Sequence, residues 1–385
     1  MVSILKEQNI QNRRIFGLDL MRAIAILAVL GSHTLWIFPE ATGTLPSLLK
    51  FGGVMGVELF FVLSGFLIGR ILFKIFTKDD FTIVDLKYFL VRRWFRTLPN
   101  YYLILILNII LVSAIGRALP DSLPLYFGFL QNMTSGMDIF FTESWSLPVE
   151  EVAYVVGPFL LYVVVSAFAK AKKETIFLFT TLSIILTFLM TKVFYNLHVA
   201  NSSLDYWNIN LKAVVLYRLD AIYYGVLAAY LSLKHPDFWK RNSGFLGIAG
   251  VVLFLGFQWI LGKYQLSIAQ APFIWNVLYL PVVSISFCFF LPFLSQWKKA
   301  PKFIGKPIFT LSIISYAVYL LHYGILLQGM RWLQPIEGLN NNERLLFAGI
   351  YLLLTILISY LWYRIYEKPM TDLRDHPKIK GLFDR

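Results

Sequence analysis

Apolar stretches of roughly 20 residues recur along this 385-residue chain, at 16–38, 53–73, 99–116, 149–168, 175–195, 212–233, 244–262, 272–295, 308–330 and 345–363. A helix rises about 1.5 Å per residue, so each can cross the apolar core of a bilayer. The expected fold is therefore all-α, a bundle of about ten transmembrane helices. Composition agrees: 58% hydrophobic and only 15% charged residues exclude a water-soluble globule.

The net charge of +13 invites a nucleic-acid reading, but its distribution argues against one. With the N-terminus inside, 26 of the 35 Lys and Arg fall on cytoplasmic segments and seven on outer loops and ends, Lys192 and Lys212 among them. Arg22 and Arg218 fall within spans. That bias follows the positive-inside rule, so both termini are expected in the cytoplasm, in a multi-pass protein of the plasma (inner) membrane. No nucleic-acid partner is needed. Arg13 and Arg14 before an apolar run imitate a secretory signal, but that run is too long and too charged to be one, and reads as a retained first span. The single cysteine, Cys288, excludes an intrachain disulfide and a cysteine-based metal site, and no metal is expected. The expected organisation is a transmembrane domain over 1–366 and a short basic cytoplasmic tail over 367–385, with longer loops at 74–98 inside and 117–148 outside.

Ionisable residues at membrane depth are expensive enough to need a role. Arg22 and His33 lie eleven residues apart in the first span. On a helix they point within ~20° of each other and stand ~16.5 Å apart along the axis. This suits a long ligand whose charged end sits at one depth and whose reactive end sits at the other. In the competing reading Asp19, three residues before Arg22, neutralises it and His33 is interfacial. The second span carries Gly52, Gly53 and Gly56, then Glu58, Ser64 and Gly65. These small residues permit close helix approach, and Glu58 reads equally as a solvated carboxylate.

Arg93 and Arg96, three apart before Pro99, offer paired guanidiniums to phosphate or carboxylate, or to lipid headgroups. Pro99 is expected to begin the third span. On the outer side, Trp145-Ser-Leu-Pro-Val-Glu150-Glu151 puts two carboxylates at the start of an apolar helix, as acid or base or as helix caps. Arg218 and Asp220, two apart, face different ways and each needs a partner, an interhelical ion pair being the simplest. His322 sits mid-span, as a functional or a hydrogen-bonded structural histidine.

Taken in order, Arg22 with His33, Gly56-Val-Glu-Leu-Phe-Phe-Val-Leu-Ser-Gly-Phe-Leu67, Arg93-x-x-Arg96, Trp145-Ser-Leu-Pro-Val-Glu150-Glu151, Tyr217-Arg-Leu-Asp220 and Tyr319-Leu-Leu-His322 resemble the acyltransferase-3 family of integral membrane acyltransferases. The resemblance spans nearly the whole chain. It implies transfer of an acyl group, usually acetyl, from cytoplasmic acyl-coenzyme A to a hydroxyl of an extracytoplasmic carbohydrate. By resemblance, Arg22 and His33 are the essential pair, Arg93 and Arg96 belong to the donor site, and Glu150 lies in the acceptor-facing motif. Pro148 stands where the family commonly has Ser, and Val152-Ala153-Tyr154 where it has an aromatic pair. Many members carry a further extracytoplasmic hydrolase-like domain. This chain ends at Arg385, and transfer by a single polypeptide is the expectation.

In the mechanism these residues allow, Arg93 and Arg96 hold the anionic head of coenzyme A and the pantetheine arm runs past Arg22. His33 acts as general base, with Glu150 orienting it if the fold brings the two together. A transporter or glycan flippase would also bury charges, although no two-half repeat is evident. A sensor or scaffold is the third class. Membrane lipid and an extracytoplasmic glycan are the expected partners; acceptor identity and oligomeric state are not legible. Sequons at Asn132 and Asn201 matter only in a host that glycosylates.

Overall fold

The structure, a computed structural model, describes residues 14–168, 170–199 and 203–383; the Asn201 sequon lies outside them. Among the described residues there are helices and loops but no strand. The principal helices are α1 Phe16–His33, α2 Thr44–Phe76, α3 Ile83–Ala114, α4 Ser146–Ala167, α5 Lys173–His198, α6 Leu219–Lys234, α7 Ser243–Lys263, α8 Tyr279–Gln296, α9 Gly305–Leu321 and α10 Asn341–Trp362. Nine helical stretches among the described residues are long and apolar enough to cross a membrane. The remaining helix, α6, has 16 residues and carries Asp220 in its first turn. It is shorter than the expected span because the chain breaks into a tight turn at Val215–Tyr217, just before Arg218. The protein is an integral multi-pass membrane protein.

Helices α2 and α3 extend well beyond their expected limits, α2 starting at Thr44 where a span over 53–73 is expected. The third starts at Ile83 rather than at Pro99 because Thr82 and Asp85 form a capping box there. The Thr82 N–H donates to Asp85 (2.9 Å) and the Val84 N–H donates to Thr82 Oγ1 (3.3 Å). Pro99 sits inside α3, and its own carbonyl accepts from the Tyr366 hydroxyl (3.2 Å). Most of the expected inner loop is thus helix. Asn132 is wholly buried and its amide donates to the Trp145 carbonyl (2.8 Å), so it offers no acceptor for a glycan.

Helix α1 is enclosed by α2, α8 and α9. The Gly17 N–H donates to the Trp297 carbonyl (2.9 Å), Gly56 lies against the Ala25 carbonyl, and Ser312 bonds Asp19. Helices α2 and α6 meet backbone to backbone. A Cβ on Gly65 would lie 1.9 Å from the Ile222 carbonyl oxygen, and one on Gly225 would lie 2.2 Å from that of Val62. Small residues permitting close approach are thus used as such. Gly65→Leu is expected to destabilise by ~3 kcal/mol or more, while Gly349→Leu, at a site with open space around it, leaves the thermal midpoint in detergent unchanged. Equal midpoints for the two variants would refute this packing argument. Facing outward, α7 buries only Gly250 and Leu261 and exposes Phe245, Ile248, Val252 and Leu255 to lipid.

Candidate active site

Between α1, α2, α3, α4 and α9 runs a cavity of about 450 Å³. Along α2 its lining extends from Val57 to Lys74, about 25 Å of helix axis. Arg70, Lys74, Arg93 and Arg96 line one end; Phe60, Phe61, Ser146 and Tyr319 line the other, with Ser64, Glu150 and Arg22 between.

At the basic end, Arg93 and Arg96 share one helix face, as their spacing predicts, and both line the cavity. Neither has a carboxylate within ion-pair distance among the described residues. Arg93 rests over the rings of Tyr154 (5.6 Å) and Phe89 (5.9 Å). A second cavity of about 410 Å³ adjoins the first through Ile71, Arg93 and Arg96, and adds Lys78, Tyr88, Arg92 and Arg374. This end therefore concentrates guanidinium groups around a solvent-sized space, which is what a polyanion requires.

Arg22 enters from α1. It donates to Ser312 Oγ (3.2 Å) and lies 3.8 Å from Asp19. The expected pairing of Asp19 with Arg22 is present but shared: Arg14 donates Nε to the same carboxylate (3.0 Å), as does the Ser312 hydroxyl (2.6 Å). Midway along the cavity Glu150 accepts from Ser64 (3.1 Å) and from the Tyr154 hydroxyl (2.6 Å), which comes from one turn further along α4. The next residue, Glu151, is buried.

The far end closes where Ser146 Oγ and the Tyr319 hydroxyl meet at 2.6 Å. Beyond Tyr319 lies His322, fully buried, its ring centroid 6.0 Å from that of Tyr319. His322 Nε2 lies 2.7 Å from His33 Nδ1. The partner of His33 is therefore His322 and not Glu150, whose hydrogen bonds are directed at Ser64 and Tyr154. The conditional Glu150–His33 contact is not formed, because Glu150 faces the cavity's middle while His33 tops α1. Tyr323 also packs against the His33 ring at 4.9 Å, with Trp36 beside it and half exposed.

The other charged candidates belong to the scaffold. Glu58 is wholly buried rather than solvated, forms an ion pair with Arg218, and accepts from Ser284 (3.1 Å). Asp220 pairs with Lys192, which lies within the bundle instead of on an outer end. The interhelical ion pairs expected for Arg218 and Asp220 are thus both present. Trp145 packs edge-on against Phe61 (6.0 Å) and receives the Lys212 ammonium over its ring (4.7 Å). Sequence patterns alone do not single out Tyr154, Ser312 or Lys192. Two carried a usable signal: Lys192 is a charge at membrane depth, and Tyr154 follows Glu150 by one helical turn.

The chain is similar to several bacterial proteins along nearly its full length. It is 24% identical to the peptidoglycan O-acetyltransferase OatA of Listeria monocytogenes, over 96% of this chain and 58% of that protein. It is 25% identical to YrhL of Bacillus subtilis, provisionally named a peptidoglycan O-acetyltransferase, over 93% of this chain and 55% of that one. With the Staphylococcus aureus protein SACOL0978, provisionally named an O-acetyltransferase, it shares 29% identity over 93% of this chain and 57% of the relative. The chain thus spans 55–58% of the length of these relatives. No solved structure matches it. A family model described as an acyltransferase domain matches residues 15–364, and on that extent the chain belongs to the acyltransferase-3 family.

Proposed function

We propose that the protein is an acyl-coenzyme A-dependent O-acyltransferase of the plasma membrane, moving an acetyl group from the cytoplasm to a hydroxyl of an extracytoplasmic glycan. The observation that carries this reading is the long cavity between the guanidiniums of Arg93 and Arg96, which have no carboxylate partner among the described residues, at one end and an imidazole pair just beyond the other. The charge bias along the chain supports a cytoplasmic basic end and cytoplasmic termini. The names of the relatives favour acetyl as the group and peptidoglycan as the acceptor.

In this reading the phosphates of coenzyme A rest among Arg93, Arg96, Arg92 and Arg374, and the pantetheine arm lies along α2 past Ser64 and Arg22. The thioester reaches the closed end at Ser146 and Tyr319. His33 removes the proton of an acceptor hydroxyl presented from outside, where Trp36 and Tyr323 offer aromatic surfaces to a sugar ring. Glu150, bonded to Ser64 and Tyr154, gives the middle of the path a negative charge within electrostatic reach of both Arg22 and Arg93.

Charge-assisted contacts to phosphate contribute roughly 1.5–3 kcal/mol each. Arg93→Ala is accordingly expected to raise the KM for acetyl-coenzyme A by ten- to a hundredfold while kcat changes less than about threefold. The check is steady-state kinetics in nanodiscs with a soluble glycan acceptor. An unchanged KM removes Arg93 from the donor site.

A further inference from the structure

The contact between the two histidines constrains protons as well as positions. His322 Nδ1 lies 2.8 Å from the carbonyl oxygen of Tyr319 and 3.1 Å from that of Val318. A carbonyl can only accept, so Nδ1 carries a hydrogen, and in the neutral ring Nε2 is then the lone-pair nitrogen. That Nε2 faces His33 Nδ1 at 2.7 Å. His33 is therefore the donor, its hydrogen is on Nδ1, and its own lone pair falls on Nε2.

The backbone around His322 is built to hold this arrangement. Helix α9 ends at Leu321, and the chain widens into i→i+5 turns over His322–Leu327. Within that segment the Gly324 N–H is diverted to Glu143 Oε1 (2.8 Å), while the His322 ring gives the Tyr319 carbonyl a donor. A side chain at Gly324 would collide with Glu143 and Asn108. With 0% of its surface exposed, His322 meets no solvent that could compete for Nε2.

We propose that His322 is a positioning residue that fixes the tautomer of His33, leaving Nε2 of His33 as the atom that takes the acceptor proton. This rests on the reading of His33 as the base. In the step it describes, the acceptor O–H bond breaks and its proton moves to His33 Nε2. The freed oxygen pair forms the new C–O bond at the thioester carbonyl. The C–S bond then breaks, and the departing sulfur takes the proton from Nε2. His322 gains and loses nothing; it accepts the Nδ1–H throughout, and that bond strengthens while His33 is an imidazolium.

Two variants separate positioning from packing. His322→Leu removes the acceptor, and is expected to lower kcat on the order of 100-fold while the KM for acetyl-coenzyme A and the Kd of coenzyme A stay within about twofold. His322→Gln returns a carbonyl oxygen near the former Nε2, and is expected to recover kcat to within about tenfold of wild type. A folded His322→Leu protein with wild-type kcat, or a His322→Gln protein as slow as His322→Leu, overturns the proposal. His33→Ala, assayed beside them, tells the two readings apart. If it keeps its turnover, the base assignment falls and the proposal with it; if it alone loses turnover, only the positioning role falls. Should His322→Leu fail to fold, ¹⁵N-histidine NMR of the wild type decides. The chain has five histidines, and the signal lost in His33→Ala identifies that residue. The Nδ1–H form at His33 supports the proposal, and the Nε2–H form overturns it.

Discussion

Replacing His33 with alanine is expected to slow acyl transfer by on the order of 1,000-fold while coenzyme A still binds with a Kd within about twofold of wild type. The separation follows from distance. The donor's charged head is assigned to the basic end of the cavity, and His33 lies past its closed end, touching His322 and Tyr323 instead of the cavity lining. Losing the imidazole is expected to remove the proposed base and to leave the proposed donor contacts undisturbed. Surface glycans from cells expressing wild type, variant or neither provide the direct readout: an alkali-labile acetyl mass present only with wild type. A variant that folds, binds coenzyme A and acetylates at full rate eliminates His33 from the chemistry.

The second large effect concerns stability. Glu58 and Arg218 are both wholly buried and paired, with Ser284 completing the carboxylate's contacts. Removing one partner leaves an uncompensated charge inside the bundle, at a cost of roughly 3–5 kcal/mol. Glu58→Ala is therefore expected to lower the yield of folded protein and its thermal midpoint sharply, and Arg218→Ala to do the same. The double variant Glu58→Gln with Arg218→Met keeps volume and removes both charges, so it should lose less than either single change. Additive losses would mean that the two residues act separately.

Much of this architecture is legible in the sequence. Span lengths set the architecture because the bilayer imposes a length on each helix, and α6 departs from its expected span over 212–233 only because it is short and interrupted. The face shared by Arg93 and Arg96 followed from helical spacing alone. What could not be read was pairing across helices. Glu58 looked solvated near a helix end, yet Arg218, 160 residues later, covers it. His33 has a neighbour 289 residues away, which no local pattern reveals. The boundary at Pro99 was misjudged for a different reason: proline reads as a helix start, whereas the Thr82–Asp85 box begins the helix earlier and the helix runs on through the proline.

The hydrogen bond between Ser146 and Tyr319, with Phe60 and Phe61 beside it, has a consequence for the cell as a whole. A water-filled passage through a bilayer would dissipate the ion gradients that power the membrane in which it sits. With the Ser146–Tyr319 hydrogen bond closing this end, a group passed across the membrane as proposed would change compartments without an open water path between them.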